Sequence, residues 1–307
     1  DDAAIDYVRY ERDGAVPGAD TNAADIDYIT SLSTTANGGA DTITTGAGND
    51  LIIGGRLGDF ITAGEGNNLV IGDSGQITAA NGNRFSSLPV TTLTVGLIET
   101  IAFGDGGVDT ITTGAGVDVI LGGHDADIIN AGNGDNVVFG DDGLIDYVRV
   151  DRGSTAPGAD ATAGDIDYLT STSTALGGGN DQITTGTGND IILGGRFADL
   201  ITAGAGNNIV IGDSGLMIAA NEDVNRFGAQ AITVGRIETM TFADGGVDTI
   251  TTLGGNDVIL GGNAGDIINA GEGNNLVVGD DAAIDYVRYE RDGAVPVRTR
   301  MPPTLIT

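Results

Sequence analysis

The chain has 307 residues with 53 glycines, 5 % aromatics, no tryptophan and no cysteine. That excludes a disulfide framework or thiolate metal site and leaves a core of small and β-branched side chains. Its formal net charge is −31 and all 13 basic residues are Arg, so nucleic acid and anionic membrane surfaces, which need a basic stripe, are poor partners. No run approaches the roughly 20 apolar residues that span a bilayer, which argues against direct membrane insertion. The opening Asp1-Asp2-Ala3-Ala4 is unlike a secretory leader, so the chain is expected to be a fragment of a longer protein.

Residues 1–36 form a first insert of extended character, with Arg9 and Arg12 beside Tyr and acidic residues and a loop at Pro17. Block one, 37–73, places Asp41, Asp50, Asp59 and Asn68 nine residues apart, each followed two positions later by a β-branched residue: Ile43, Ile52, Ile61 and Val70. An insert, 74–103, closes on Ile98-Glu99-Thr100-Ile101-Ala102-Phe103. Block two, 104–142, repeats the rows with Asp109, Asp118, Asp127 and Asn136. The next insert, 143–176, holds Leu144-Ile145-Asp146-Tyr147 and Asp165-Ile166-Asp167-Tyr168. Block three, 177–213, carries Asp181, Asp190, Asp199 and Asn208, and the insert 214–243 ends in Ile237-Glu238-Thr239-Met240-Thr241-Phe242. Block four, 244–281, has Asp248, Asp257, Asp266 and Asn275. In 282–307 the chain begins again: Asp280 to Pro296 is identical to Asp1 to Pro17, after which 297–307 leave the pattern. A tandem array with this chain as about one period is the expectation.

A single row such as Thr45-Gly46-Ala47-Gly48-Asn49-Asp50-Leu51-Ile52-Ile53 dictates its own shape. The glycines permit a tight reversal, Asp50 ends it, and a short strand follows in which Ile52 points inward and Leu51 and Ile53 outward. Two rows complete one coil, so Asp41 should lie near Asp59 and Asp50 near Asn68. Carboxylates one strand spacing apart, about 4.8 Å, repel by roughly 1 kcal/mol in water and about 3.5 kcal/mol at an effective dielectric of 20. A divalent cation between coils reverses that sign. Ligation by carboxylate and carbonyl oxygens alone, without His or Cys, selects calcium over zinc or copper.

The row Gly186-Thr187-Gly188-Asn189-Asp190-Ile191-Ile192, and Gly177-Gly178-Gly179-Asn180-Asp181-Gln182-Ile183 likewise, resembles the G-G-x-G-x-D-x-U-x nonapeptide of RTX (repeats-in-toxin, haemolysin-type) proteins. The resemblance implies an all-β parallel β-roll or β-solenoid, here four nonapeptide blocks joined by longer strand-containing inserts, with Ca2+ as cofactor, calcium-driven folding and secretion. The candidate metal residues are the sixteen row positions above and the Asp of each Gly-Asp pair that follows a block: Asp73, Asp141, Asp213 and Asp280. Two departures stand out. Each third row replaces its fourth-position Gly, with Leu57, Asp125, Phe197 or Ala264, and each fourth row carries Asn, expected to hold calcium more weakly or to cap the stack.

No catalytic constellation emerges. His124 is the only histidine, no Ser lies in a nucleophile elbow, and no Gly-Lys-Ser/Thr follows a glycine turn. Glu99 and Glu238 share one strand position, the latter two residues from Arg236, as ordinary outward residues, an ion pair or a peripheral calcium contact. Arg9, Arg12, Arg149, Arg152, Arg288 and Arg291 gather in the inserts, a solvated face or a contact between copies. The expected function is a calcium-stabilised structural module of a long secreted or cell-surface protein, a fibre, stalk or surface-layer component whose partners are calcium and copies of itself. The alternatives are the calcium-responsive carrier region of a secreted enzyme or toxin and the extender of an adhesin.

Overall fold

In the computed structural model the described residues are 2–7, 26–32, 37–80, 93–101, 104, 106–149, 165–173, 177–220, 231–240 and 245–287. The insert arginines Arg9, Arg12, Arg152, Arg288 and Arg291, and residues 297–307, lie outside them.

Every element described is a β-strand, and the strands fall into three sheets. The first and third rows of each block build a parallel eight-stranded sheet: Thr42–Thr44, Phe60–Thr62, Thr110–Thr112, Ile128–Asn130, Gln182–Thr184, Leu200–Thr202, Thr249–Thr251 and Ile267–Asn269. The second and fourth rows build another: Leu51–Ile53, Leu69–Ile71, Val119–Gly123, Val137–Asp141, Ile191–Gly195, Ile209–Asp213, Val258–Leu260 and Leu276–Val278. The chain alternates between them, one coil per two rows, as a nine-residue period with one turn per row requires. Registers run unbroken across block boundaries, Ile61 opposite Ile111 and Val70 opposite Ile120, so the four blocks form one continuous parallel β-roll.

The inserts are where the structure goes beyond the sequence pattern. Their strands assemble a third sheet, antiparallel and nine-stranded: Ala3–Asp6, Tyr28–Ser31, Gly75–Ala79, Val95–Thr100, Gly143–Asp146, Tyr168–Ser171, Gly215–Ala219, Val234–Thr239 and Ala283–Asp285. Two hydrophobic cores result. Between the parallel sheets lie the β-branched row residues, with Ile61, Ile111, Ile120, Ile183, Ile192, Ile201 and Ile259 fully buried. Between the second and third sheets lie Leu69, Ile71, Val119, Leu121, Phe139, Leu193 and Ile211 against Ile77, Ile98, Ile145, Leu169, Met217 and Ile237.

This corrects the outward assignment of the residues flanking Ile52. Leu51 and Ile53 leave the roll core as the strand alternation demands, yet they pack against the second core. The physical reason is visible in the row pairs. Second- and fourth-row flanks are Leu, Ile, Val or Phe, each worth about 1.5 to 3 kcal/mol when fully buried. First-row flanks such as Thr42, Thr44, Thr110 and Thr112 suit water, and the outer face of the first sheet is the solvated one.

Candidate calcium edges

The two parallel sheets are joined by two stacks of turns, and their chemistry differs. On one edge stand the first- and third-row residues, all Asp. Each backbone N–H donates to Oδ1 of the Asp in the next coil: Asp41 to Asp59, Asp59 to Asp109, Asp109 to Asp127, Asp127 to Asp181, Asp181 to Asp199, Asp199 to Asp248 and Asp248 to Asp266, at 2.6 to 3.0 Å. One carboxylate oxygen is thereby used. The other, Oδ2, is buried without a hydrogen-bond partner at Asp59, Asp109, Asp127, Asp199, Asp248 and Asp266. A buried unpaired carboxylate oxygen costs several kcal/mol unless a proton or cation meets it.

Glycine carbonyls close on the same oxygens. An ideal Cβ on Gly72 would meet Asp109 Oδ2 at 2.1 Å and Gly122 O at 2.4 Å. On Gly140 it would meet Asp181 Oδ2 and Gly194 O, both at 2.2 Å, and on Gly212 Asp248 Oδ2 at 2.2 Å and Gly261 O at 2.4 Å. Carboxylate and carbonyl oxygens from successive coils therefore converge beside a glycine that no side chain could replace. Among the described residues no three His, Cys, Asp or Glu side chains gather at one point. A cation here would draw on main-chain carbonyls as much as on carboxylates, a donor set that fits calcium.

Burial and like charge act on this edge together. Burial above all pushes Asp109 up to about 8, with the Asp59 charge adding to it. Asp73 rises to about 9 through burial and then the charge of Asp109. Asp248 rises to about 7 and Asp59 to about 6 for the same leading reason. Asp127, Asp141 and Asp199 are raised well above the usual carboxylate range by burial and their neighbours' charges.

The Gly-Asp pairs join this edge at the block boundaries. Asp73 accepts from Gly107 N–H and His124 N–H, Asp141 from Gly179 and Arg196, and Asp213 from Gly246 and Asn263. Each carboxylate so ties the first turn of the following block to the third turn of that block. Asp280 stands at the last described coil. The third-row replacements keep the left-handed turn without glycine, with φ of 67° at Leu57, 71° at Asp125, 72° at Phe197 and 83° at Ala264.

On the opposite edge Asp and Asn alternate: Asp50, Asn68, Asp118, Asn136, Asp190, Asn208, Asp257 and Asn275, with the same N–H to Oδ1 ladder at 2.8 to 3.1 Å. The asparagines do not cap the stack. Rows two and four share an edge, so Asn recurs at every second coil throughout. Its amide supplies the positive end that a cation would: Asn68 Nδ2 donates to Gly64 O at 3.2 Å and Gly66 O at 3.0 Å, and Asn208 Nδ2 to Gly204 O and Gly206 O, both at 3.2 Å. Asn136 and Asn275 do the same to Gly134 O and Ala270 O. Hydroxyls help too, Thr185 to Asp190 Oδ2 at 2.7 Å and Thr252 to Asp257 Oδ2 at 2.8 Å.

The geometry and the periodicity meet in the family comparison. The sequence model of the RTX calcium-binding nonapeptide repeat matches residues 35–56, 58–76, 103–143, 176–201, 184–215 and 242–277, just over half of the chain. The chain belongs to this RTX family. No curated protein and no solved structure gave a match. RTX nonapeptides bind calcium, and calcium is the cofactor of this chain. The two edges of this RTX roll differ, one wholly carboxylate and one in which Asp alternates with Asn.

Sequence reasoning missed a further ladder on the amide-bearing edge. Asn67 N–H donates to Asn49 Oδ1, Val117 N–H to Asn67 Oδ1, Asn189 N–H to Asp135 Oδ1, Asn207 N–H to Asn189 Oδ1 and Asn256 N–H to Asn207 Oδ1, at 2.7 to 2.9 Å. The signal was present as an Asn or Asp immediately before most second- and fourth-row positions. The remaining polar candidates lie in local contacts. His124 Nδ1 lies 3.3 Å from Asp125 Oδ1, Arg236 pairs with Glu238 at 2.6 Å, Glu99 accepts from Gln76, and the Arg149 guanidinium sits 3.8 Å from the Tyr168 ring centroid.

Proposed function

We propose that this chain is a calcium-stabilised structural module of a long secreted or cell-surface protein, non-catalytic itself, and that its ions line the all-Asp edge. The observation that carries the reading is the file of buried Oδ2 atoms of Asp59, Asp109, Asp127, Asp199, Asp248 and Asp266, each without a hydrogen-bond partner and each beside a glycine carbonyl oxygen. Asp41, Asp181, Asp73, Asp141 and Asp213 complete the carboxylate set. Asp50, Asp118, Asp190 and Asp257 form a second set, in which Oδ2 of Asp50 and Asp118 is likewise buried without a hydrogen-bond partner, while Thr185 and Thr252 already serve Asp190 and Asp257 and the amides of Asn68, Asn136, Asn208 and Asn275 serve the alternate coils.

Calcium supplies the charge compensation that lets the coils close. Extracellular levels of the ion suit sites of modest affinity, and cytosolic levels leave such sites empty, which keeps the chain open until export. A roll in which each coil contacts only its neighbours lengthens without redesign, which suits a stalk or fibre. The test is far-UV circular dichroism of the chain through a calcium titration and its reversal with EGTA. Strand signal should appear with calcium and collapse on chelation; a full strand spectrum in excess EGTA would refute the role.

A further inference from the structure

Asp280 to Pro296 repeat Asp1 to Pro17 residue for residue, and the described parts of the two copies, Ala3–Asp6 and Ala283–Asp285, are the two outermost strands of the antiparallel sheet. They pair on opposite sides. In the first copy Ala4 stands opposite Thr30, Ile5 opposite Ile29 and Asp6 opposite Tyr28. In the second Ala283 stands opposite Glu238, Ile284 opposite Ile237 and Asp285 opposite Arg236.

The interior strand Gly143–Asp146 makes both sets at once. Leu144, Ile145 and Asp146 face Thr170, Leu169 and Tyr168 on one side and Glu99, Ile98 and Leu97 on the other. Ile5 and Ile284 both correspond to Ile145. Each copy of the terminal strand thus holds one half of a complete pairing, in matching register, and the halves do not overlap.

The coil ladder has the same arithmetic. Across the insert built on Gly143–Asp146, Asp127 N–H donates to Asp181 and Asn136 N–H to Asp190, each 54 residues on. Positions 1 and 280 are 279 residues apart, so a second copy continuing from Gly279 would put its Asp41 at 320, which is 54 past Asp266, and its Asp50 at 329, which is 54 past Asn275. Among the described residues the last coil is also uncovered: Val277 is 42 % exposed, whereas its counterpart Val210 is wholly buried.

We propose that the face formed by Ile267–Asn269, Leu276–Val278 and Val234–Thr239 receives a second copy of this unit, docking through that copy's Thr42–Thr44, Leu51–Ile53 and Tyr28–Ser31 strands. One Ala-Ala-Ile-Asp strand serves both units, as Gly143–Asp146 does within one. All three sheets run on through the junction, a head-to-tail contact that propagates. This rests on the calcium-held roll proposed above. When two separate chains meet, two copies of the strand compete for one place, so the duplicate acts as a brake that must be displaced.

The brake makes the test specific. Ile284→Pro dislodges Ala283–Asp285 from Ile237 and opens that edge to the neighbour's Ile5 strand. The bond from Leu32 N–H to Asp2 O makes Ile5 and Ile29 a non-hydrogen-bonded pair, so Ile5 N–H faces the open edge, and Ile5→Pro spoils that edge alone. In saturating calcium, sedimentation velocity should show Ile284→Pro associating at a concentration at least tenfold below that of the unaltered chain, and Ile5→Pro/Ile284→Pro losing the gain. Equal association of all three, or of the single and double variants, overturns the proposal. A fusion of residues 1–279 to a second full chain removes the competition outright. Small-angle scattering should find one straight particle longer by about 38 Å, eight strands at about 4.8 Å; two bodies at variable angles would overturn it. Strand signal with and without EGTA on each protein reads the calcium-held fold separately, so its failure is not confused with failure to dock.

Discussion

Asp109→Asn separates what the all-Asp edge costs from what calcium returns. Asp109 is fully buried, takes Asp59 N–H on Oδ1 at 2.6 Å, and leaves Oδ2 without a partner beside Gly122 O. Burial and the Asp59 charge raise its pKa from 3.8 to about 8. At pH 7 that corresponds to about 4 kcal/mol against the fold, at about 1.4 kcal/mol per pH unit. The Coulomb repulsion of one carboxylate at strand spacing, about 3.5 kcal/mol at an effective dielectric of 20, is of the same order. An Asn keeps the Oδ1 acceptor and turns Nδ2 toward the carbonyls, as Asn68 does on the other edge. Without calcium the variant should therefore be stabilised by about 2 to 4 kcal/mol. With calcium it loses a charged ligand, and the apparent affinity should fall tenfold or more, about 1.4 kcal/mol. Far-UV circular dichroism through a calcium titration, with urea unfolding at each end, reads both arms. More strand signal in EGTA with a weaker calcium response is the expected result. A variant that gains no stability in EGTA, or that keeps the full calcium affinity, refutes the reasoning.

Two further outcomes follow from the same edge. Asp73, Asp109 and Asp248 have folded-state pKa values raised to about 9, 8 and 7, so the calcium-free fold binds more protons than the unfolded chain. Its stability is unpenalised below about pH 4 and declines as pH rises toward 9, so the urea midpoint in EGTA should be higher at pH 5 than at pH 8, while calcium affinity moves the other way; a calcium-free midpoint that climbs with pH would contradict this. Gly140→Ala sets a methyl 2.2 Å from both Asp181 Oδ2 and Gly194 O without changing charge, whereas Gly279→Ala meets nothing within 4 Å. Isothermal titration calorimetry should show fewer ions bound by the first variant and an unchanged number by the second, with equal losses in both sinking the assignment of the seat.

The nine-residue period, by itself, determined the roll. Glycine turns, an acidic residue and a β-branched residue two positions on are local instructions, and repeating them forces two rows per coil, a column of Ile and Val inside and a column of oxygen ligands outside. The membership of Asp41 and Asp59 in one column and Asp50 and Asn68 in the other follows from counting alone. What only the tertiary structure decided depends on partners far apart in the chain. Leu69 and Ile71 look like surface residues in the row pattern and are buried because Ile77 and Ile98, delivered by an insert, cover them. The inserts had the alternation of strands, but their pairing into one antiparallel sheet rests on contacts between segments such as Leu144 and Glu99, which no local period encodes. The same holds for the asparagines: their position was legible, and their work was not, because an amide substitutes for a cation only where stacking brings the carbonyls of its own turn and the carboxylate of the next coil within reach.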